Sequence, residues 1–186
     1  MKRILLLLVL VSVSPLAFAD SFTIDFEQYS GFTQITNQYA AEDATFTNAL
    51  QLVAPDYDYF DYPPHSGSGV ITNDPNDPII VDFSTTVMDV TGWYSDPDGV
   101  TVTAYDSMGN VLATFNGAGV SGADSEFSLD PDAYISSITI SDVDGNPDFL
   151  IADDLSYTVT PEPESLLLLG TGVLGLVGMM RRKLRR

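Results

Sequence analysis

An all-β fold, a single jelly-roll-like β-sandwich, is what the sequence predicts for Asp20–Thr160, the body of this 186-residue chain. No long stretch of the body repeats apolar residues at helical spacing. Short runs of β-branched and aromatic residues recur instead. Clusters of Gly, Pro, Asn and Asp separate those runs, as turns between strands require. Many short strands with evenly spaced turns point to a sandwich or jelly roll.

In chain order the runs place strands near Phe22–Phe26, Leu50–Val53, Gly69–Thr72, Ile79–Phe83 and Val87–Trp93. Further strands fall near Val100–Tyr105, Val111–Phe115, Ser125–Leu129, Ile135–Ile140 and Phe149–Val159. Along Val100–Tyr105 the side chains alternate, Val100, Val102 and Ala104 toward the core and Thr101, Thr103 and Tyr105 away from it. Ser95–Gly99 and Asp106–Asn110 have turn chemistry, with Pro97 fixing φ in the first and glycines free to take positive φ in both. The body holds no internal repeat, and Asp142–Asp148 is its most loop-like late stretch.

Charge narrows the function. The chain has 26 Asp and Glu against 7 Lys and Arg, a formal net charge of −19. All seven basic residues lie at the ends, so the body has none, while it carries 24 of the acids. Such a surface cannot neutralise phosphates, which excludes nucleic acid as a partner. The absence of cysteine excludes disulfides, thiolate zinc sites and thiol nucleophiles. One histidine, His65, cannot make a multi-histidine metal centre.

Both ends read as targeting segments. Lys2 and Arg3 precede the apolar run Ile4–Val13 and the Ala17-Phe18-Ala19 cleavage pattern. Residues 1–19 therefore form a secretory signal peptide cut after Ala19, since the apolar run is too short to span a bilayer. At the other end, Pro161-Glu162-Pro163-Glu164 leads into the apolar stretch Ser165–Met180 and the basic cluster Arg181–Arg186. Sixteen helical residues rise roughly 24 Å, and flanking Arg side chains can cover the shortfall from the roughly 30 Å hydrocarbon core. The positive-inside rule keeps the Arg-rich tail cytoplasmic and the acidic body outside.

Residues 161–186 resemble the PEP-CTERM sorting signal of Gram-negative bacteria. Pro161, Glu162 and Pro163, a Gly-interrupted apolar helix and a terminal Arg cluster stand in that family's order. The resemblance implies export across the inner membrane and a precursor held there by its C-terminal helix. It further implies recognition by an exosortase-type membrane protease and passage to the outer surface or extracellular matrix. Bacteria that make exopolysaccharide tend to carry such signals. The signal is an address and specifies no activity.

The body also resembles jelly-roll domains akin to carbohydrate-binding modules and galactose-binding-like sandwiches. The motifs are Phe26-Glu27, Ser66-Gly67-Ser68-Gly69, Val102–Asp106 with Gly109–Leu112, Asn146–Phe149 and Asp153–Tyr157. In such domains a structural calcium commonly ties an early acid to an Asp near the last strand. Glu27 and Asp154 match those positions, with Asp25 and Asp153 as alternates.

The residues themselves give a reason for a cation. Close carboxylates with no cationic neighbour repel, by about 4 kcal/mol at 4 Å and an effective dielectric of 20. They must raise a pKa, move apart or bind an ion. Calcium suits hard oxygen donors, whereas a solvated acidic surface that aids solubility is the alternative. Asp142-x-Asp144-x-Asn146 imitates an EF-hand loop, but Pro147 stands where glycine is needed, so only some cation affinity is expected there.

Tyr57, Tyr59 and Tyr62, interleaved with Asp56, Asp58 and Asp61, form an aromatic-acidic stretch before His65. With Trp93 they are candidate sugar-stacking residues, and covering the edge of the core is the competing role. No nucleophile-elbow motif accompanies His65. The expectation is thus an exported, non-enzymatic surface or matrix protein associated with exopolysaccharide. A carbohydrate-binding module is the alternative, and a two-carboxylate glycoside hydrolase is a third reading.

Overall fold

The computed structural model of the chain describes residues 19–73, 77–143 and 150–160, together with 170, 172, 175 and 181. Asp20–Thr160 is a compact unit by itself. Outside it, Gly170, Gly172, Gly175 and Arg181 are helical. Among the described residues no helix is long and apolar enough to cross a membrane. The signal peptide with its Ala19 junction, the Pro161–Pro163 motif, the Asp144–Asp148 part of the EF-hand-like loop and the Asn146–Phe149 motif fall largely or wholly outside the described residues.

The body is all antiparallel β. Among the described residues eleven strands form it: β1 (Asp20–Ile24), β2 (Gln34–Ile35), β3 (Ala44–Thr47), β4 (Ala49–Val53), β5 (Gly69–Asn73), β6 (Ile79–Asp96), β7 (Val100–Tyr105), β8 (Val111–Asn116), β9 (Val120–Leu129), β10 (Ile135–Asp142) and β11 (Ile151–Val159). The hydrogen-bonded order is β2-β4-β5-β11-β6-β10-β7-β8, with β1 on β11 and both β3 and β9 on β6.

β6 is the joint between the two layers. It runs 18 residues, where strands usually run 3–10 (about 5–6 at the mode). Its first part, Ile79–Phe83, pairs with β3 and β10. Its last part, Val90–Asp96, pairs with β9 and β11. The sequence predicts two strands here, near Ile79–Phe83 and Val87–Trp93, and the structure joins them into one. Ile79, Val81, Phe83 and Val87 are buried in one phase, and Val90, Gly92, Tyr94 and Asp96 in the opposite phase. Register shifts on the partners opposite this stretch, at Ile135/Ser137 and Tyr157/Val159, absorb the change. A one-residue slip moves every following side chain to the other face, so the strand leaves one layer and enters the other without stopping.

The layers close on one core, which includes Ile24, Val81, Val102, Phe127, Ile138, Ile140 and Tyr157. Phe115 on β8 meets Phe127 on β9 and Tyr94 on β6, with ring centroids 6.4 and 6.2 Å apart. Gly92 is required beneath Phe127, because a Cβ there would strike the ring. On β7, Val100, Val102 and Ala104 are buried, as the alternation predicts. Both turns have the expected chemistry. The Asp106 carboxylate accepts the N–H groups of Met108 at 2.8 Å and Asn110 at 2.9 Å. Asp96 accepts those of Asp98 at 2.8 Å and Gly99 at 2.9 Å. β2 and β3 are absent from the expected strands.

Replacing Phe127 by Ala should empty the contact between layers and lower stability by about 3–5 kcal/mol. Met108, 81% exposed, should tolerate Ala within roughly 0.5 kcal/mol. Chemical denaturation of both variants measures the difference.

Candidate functional site

The site lies where the chain entering β5 meets the ends of β1 and β11. β1 and β11 are neighbours, with Ile24 opposite Leu155. The sequence places Asp25 and Glu27 on the first strand, in phase. In the structure β1 stops at Ile24, and Phe26 between them has φ 52°. The backbone therefore turns after Ile24, and Asp25 Oδ1 accepts the Glu27 N–H at 3.2 Å. On β11, Asp154 has φ 46°, and the pairing with β6 shifts register between Asp153 and Ser156. This bulge re-aims the Asp pair out of the strand's regular alternation.

Glu27, Asp153 and Asp154 all grip one segment, His65–Gly69. Glu27 Oε1 accepts the N–H groups of Ser68 at 2.7 Å and Gly69 at 2.5 Å, and Oε2 accepts the Ser68 hydroxyl at 3.3 Å. Asp153 Oδ2 accepts the N–H groups of His65 at 2.8 Å and Ser66 at 3.0 Å. Asp154 Oδ1 accepts the Ser66 hydroxyl at 3.0 Å. Gly67, at φ 51°, is needed because the Glu27 carboxylate fills the space of a Cβ. Gly69 is needed because the Phe26 carbonyl does the same.

His65 has its own surroundings. Its ring stacks on Trp93, centroids 3.6 Å apart and planes 9° apart. Nδ1 lies 2.5 Å from Asp124 Oδ2, and Nε2 lies 4.0 Å from Asp154 Oδ2. Composition alone leaves the body without a Lys or Arg ion pair; His65, when protonated, makes one with Asp124.

Glu27, Asp153 and Asp154 thus meet on the His65–Gly69 segment, and Asp25 accepts the N–H of Glu27 beside them. Their hard oxygens are chemically suited to calcium. Their arrangement, however, is that of a hydrogen-bond clamp. Among the described residues no group of three or more His, Asp or Glu side chains is set to hold a metal ion.

The aromatic residues divide three ways. Tyr57 and Tyr62 line a cavity of about 260 Å³ with Phe32, Leu52, Asp56 and Asp58. Tyr59 packs against Phe60 with centroids 4.3 Å apart and planes tilted by 30°, and Trp93 lies against His65. One four-aromatic platform is not what these contacts build. Phe32 was missed from sequence because it stands alone between Gly31 and Thr33, with no pattern around it.

Burial pushes the Asp153 carboxyl up to about 6, the Ser66 N–H bond and others opposing it and the Asp154 charge adding to it. Burial also raises Asp96 to about 6. Each folded-state value lies above the ordinary 3.8, so the folded chain binds more protons in between. Stability should therefore fall as pH rises from about 4 to about 6, by an order of 2–3 kcal/mol per group. Asp153→Asn and Asp96→Asn should each flatten part of that slope, which denaturation at stepped pH reads directly.

None of the curated proteins matches this chain in sequence. Among solved structures it is similar to the K1 cleaved adhesin domain of Lys-gingipain from Porphyromonas gingivalis W83, at 11% identity and TM-score 0.46 over 76% of this chain and 99% of that one. It is also similar to a family 29 carbohydrate-binding module, at 12% identity and TM-score 0.45 over 76% of this chain and 89% of the other. Residues 159–183 match the PEP-CTERM protein-sorting motif, so the tail of this chain is a PEP-CTERM sorting signal.

Proposed function

We propose that this chain is an exported, non-enzymatic surface or extracellular-matrix protein that associates with exopolysaccharide after processing by an exosortase. The observation that carries the proposal is the sorting motif at residues 159–183, which implies export, on a body rich in acids and free of Lys and Arg. The surroundings of His65 support a non-enzymatic role. A carboxylate faces each ring nitrogen, while the neighbouring Ser66 hydroxyl is given to Asp154. That arrangement pairs no base with a nucleophile.

The carbohydrate-binding alternative is favoured by a separate observation, the cavity walled by Tyr57 and Tyr62. Structural calcium enters the proposal in a restricted form. Glu27 and Asp154, with Asp25 and Asp153, would hold it, but the ion must compete with the N–H groups those oxygens already accept.

In the native host, Glu162→Ala should leave export intact and block removal of the C-terminal segment. Mass spectrometry of surface-released wild-type protein decides the matter, and an intact Arg186 terminus on it would end the proposal.

Calcium is read by melting. An ion bound only to the folded state at a hundredfold excess over Kd adds about 2.7 kcal/mol. Chelator should then lower the melting temperature by several degrees, and Glu27→Ala or Asp154→Ala should remove most of that sensitivity. Identical curves in chelator and millimolar calcium would leave the hydrogen bonds alone to hold the His65–Gly69 segment.

A further inference from the structure

β8 ends the hydrogen-bonded order of strands, so one of its edges is open among the described residues. Its pairing with β7 sets Val102 opposite Phe115 and Thr103 opposite Thr114. Just past the strand, the Gly117 N–H donates to the Val100 carbonyl at 2.8 Å. Main-chain groups alternate in direction along a strand, so those of Phe115 and Ala113 also face β7. The N–H and C=O groups of Thr114 and Asn116 therefore point off the edge of the sheet, and both residues are exposed. The pairing shifts register between Ala104 and Tyr105, so the regular edge covers residues 113–116.

An open edge is a template for another strand, and proteins guard such edges with charge, brevity or a cover. Among the described residues β1, β2, β3 and β9 also pair on one side only, and each has a guard. β2 has two residues and β3 has four. β1 begins with Asp20 and is followed by Asp25. β9 carries Asp124 and Glu126. β8 has none of these. Residues 107–123 contain no Asp, Glu, Lys or Arg, the longest uncharged run of a body with 24 acids. The large exposed side chains at its start, Met108 and Val111, are apolar.

Charge decides what can lie there. A chain of net charge −19 repels its own copies over most of its surface. At β8 two copies can approach with no carboxylate on either strand. The edge is also its own complement. In an antiparallel pair centred on Phe115, Thr114 of each copy stands opposite Asn116 of the other, and opposed residues of this kind exchange both N–H···O bonds. Such a contact maps onto itself by a two-fold axis and closes at a dimer. A cationic partner would gain nothing from an uncharged strand and would be drawn to acids elsewhere.

We propose that the open edge of β8 is a self-association surface, where a second copy of this chain adds its own β8 antiparallel and continues the sheet. The proposal stands apart from the exopolysaccharide reading above.

Sedimentation of the purified full chain over a range of concentrations tests it. A reversible dimer is expected, and it should tighten as added salt screens the acids that flank the contact. Amide hydrogen exchange should slow at Thr114 and Asn116 as concentration rises, while Ala113 and Phe115, which face β7, change little. Thr114→Pro removes an N–H that β7 does not use, a change that edge strands accommodate. It should weaken the dimer roughly tenfold, through lost cross-edge hydrogen bonds, and keep the melting transition. Thr114→Asp should weaken it as well, by bringing like charges together across the contact, and salt should restore part of the loss. Ser128→Asp, at an exposed position of β9, should leave the dimer unchanged. A monomer at every concentration would overturn the proposal, as would open-ended oligomers or a dimer that persists in Thr114→Asp. Equal weakening by Ser128→Asp would overturn it too, because overall charge would then account for the association. If Thr114→Pro loses its cooperative melt, Thr114→Asp and the exchange pattern decide, and exchange at Thr114 and Asn116 that ignores concentration would overturn the edge assignment.

Discussion

A body with 24 carboxylates and no Lys or Arg must place each negative charge where something other than a cationic side chain of that kind answers it. In this structure main-chain N–H groups answer repeatedly. Glu27 takes two of them, from Ser68 and Gly69. Asp153 takes those of His65 and Ser66, Asp96 those of Asp98 and Gly99, and Asp106 those of Met108 and Asn110. Hydrogen bonds to charged groups contribute more than neutral ones, and most where the carboxylate is buried, as at Asp96 and Asp153. The charge that opposes compaction is thereby turned into the force that fixes turns. Asp96 and Asp153 mark the limit of the device, since burial raises both despite their N–H donors.

The same device explains why the chain ends of the sandwich are ordered. Turns expose N–H groups that no strand partner can reach, and an unpaired buried N–H costs about as much as a lost hydrogen bond. A carboxylate placed two to four residues away, as in Asp106, serves the local turn. Glu27 does so across 41 and 42 residues, joining the end of β1 to the start of β5. The bulge at Asp154 gives β11 a role in the same joint. Strand pairing sets the layers, and the acids lock their ends.

Most of the fold was legible because burial in a sheet leaves a period-2 trace. β7 is the clearest case, with Val100, Val102 and Ala104 buried in step. β6 defeated the pattern for a physical reason: its buried phase inverts past Val87, so alternation alone reads a break where the backbone continues. β2 and β3 left too short a trace, at two and four residues. Asp25 and Glu27 kept the alternation of β1 on paper, but the positive φ at Phe26 is a backbone event that an alternation pattern does not record.

The site was legible in its residue types and less so in its geometry. Pairing of the first and last strands brought Glu27 toward Asp153 and Asp154, and topology makes that inference available to a reader of sequence. What the acids hold depends on the donors facing them, and Ser66–Gly69 presents N–H groups only because Gly67 adopts φ 51°. The aromatic loop shows the converse. Tyr57, Tyr59, Tyr62 and Trp93 look equivalent as amphipathic rings, yet each took the nearest partner: the cluster around Leu52 for two of them, Phe60 for the third and His65 for the fourth. Phe32, with no neighbour of its kind in sequence, completes the cavity because the turn after Ser30 carries it to Asp56. Aromatic rings in a loop are assigned by what they fail to cover, and here Phe32, Tyr57 and Tyr62 leave a cavity of about 260 Å³ with a mainly apolar wall.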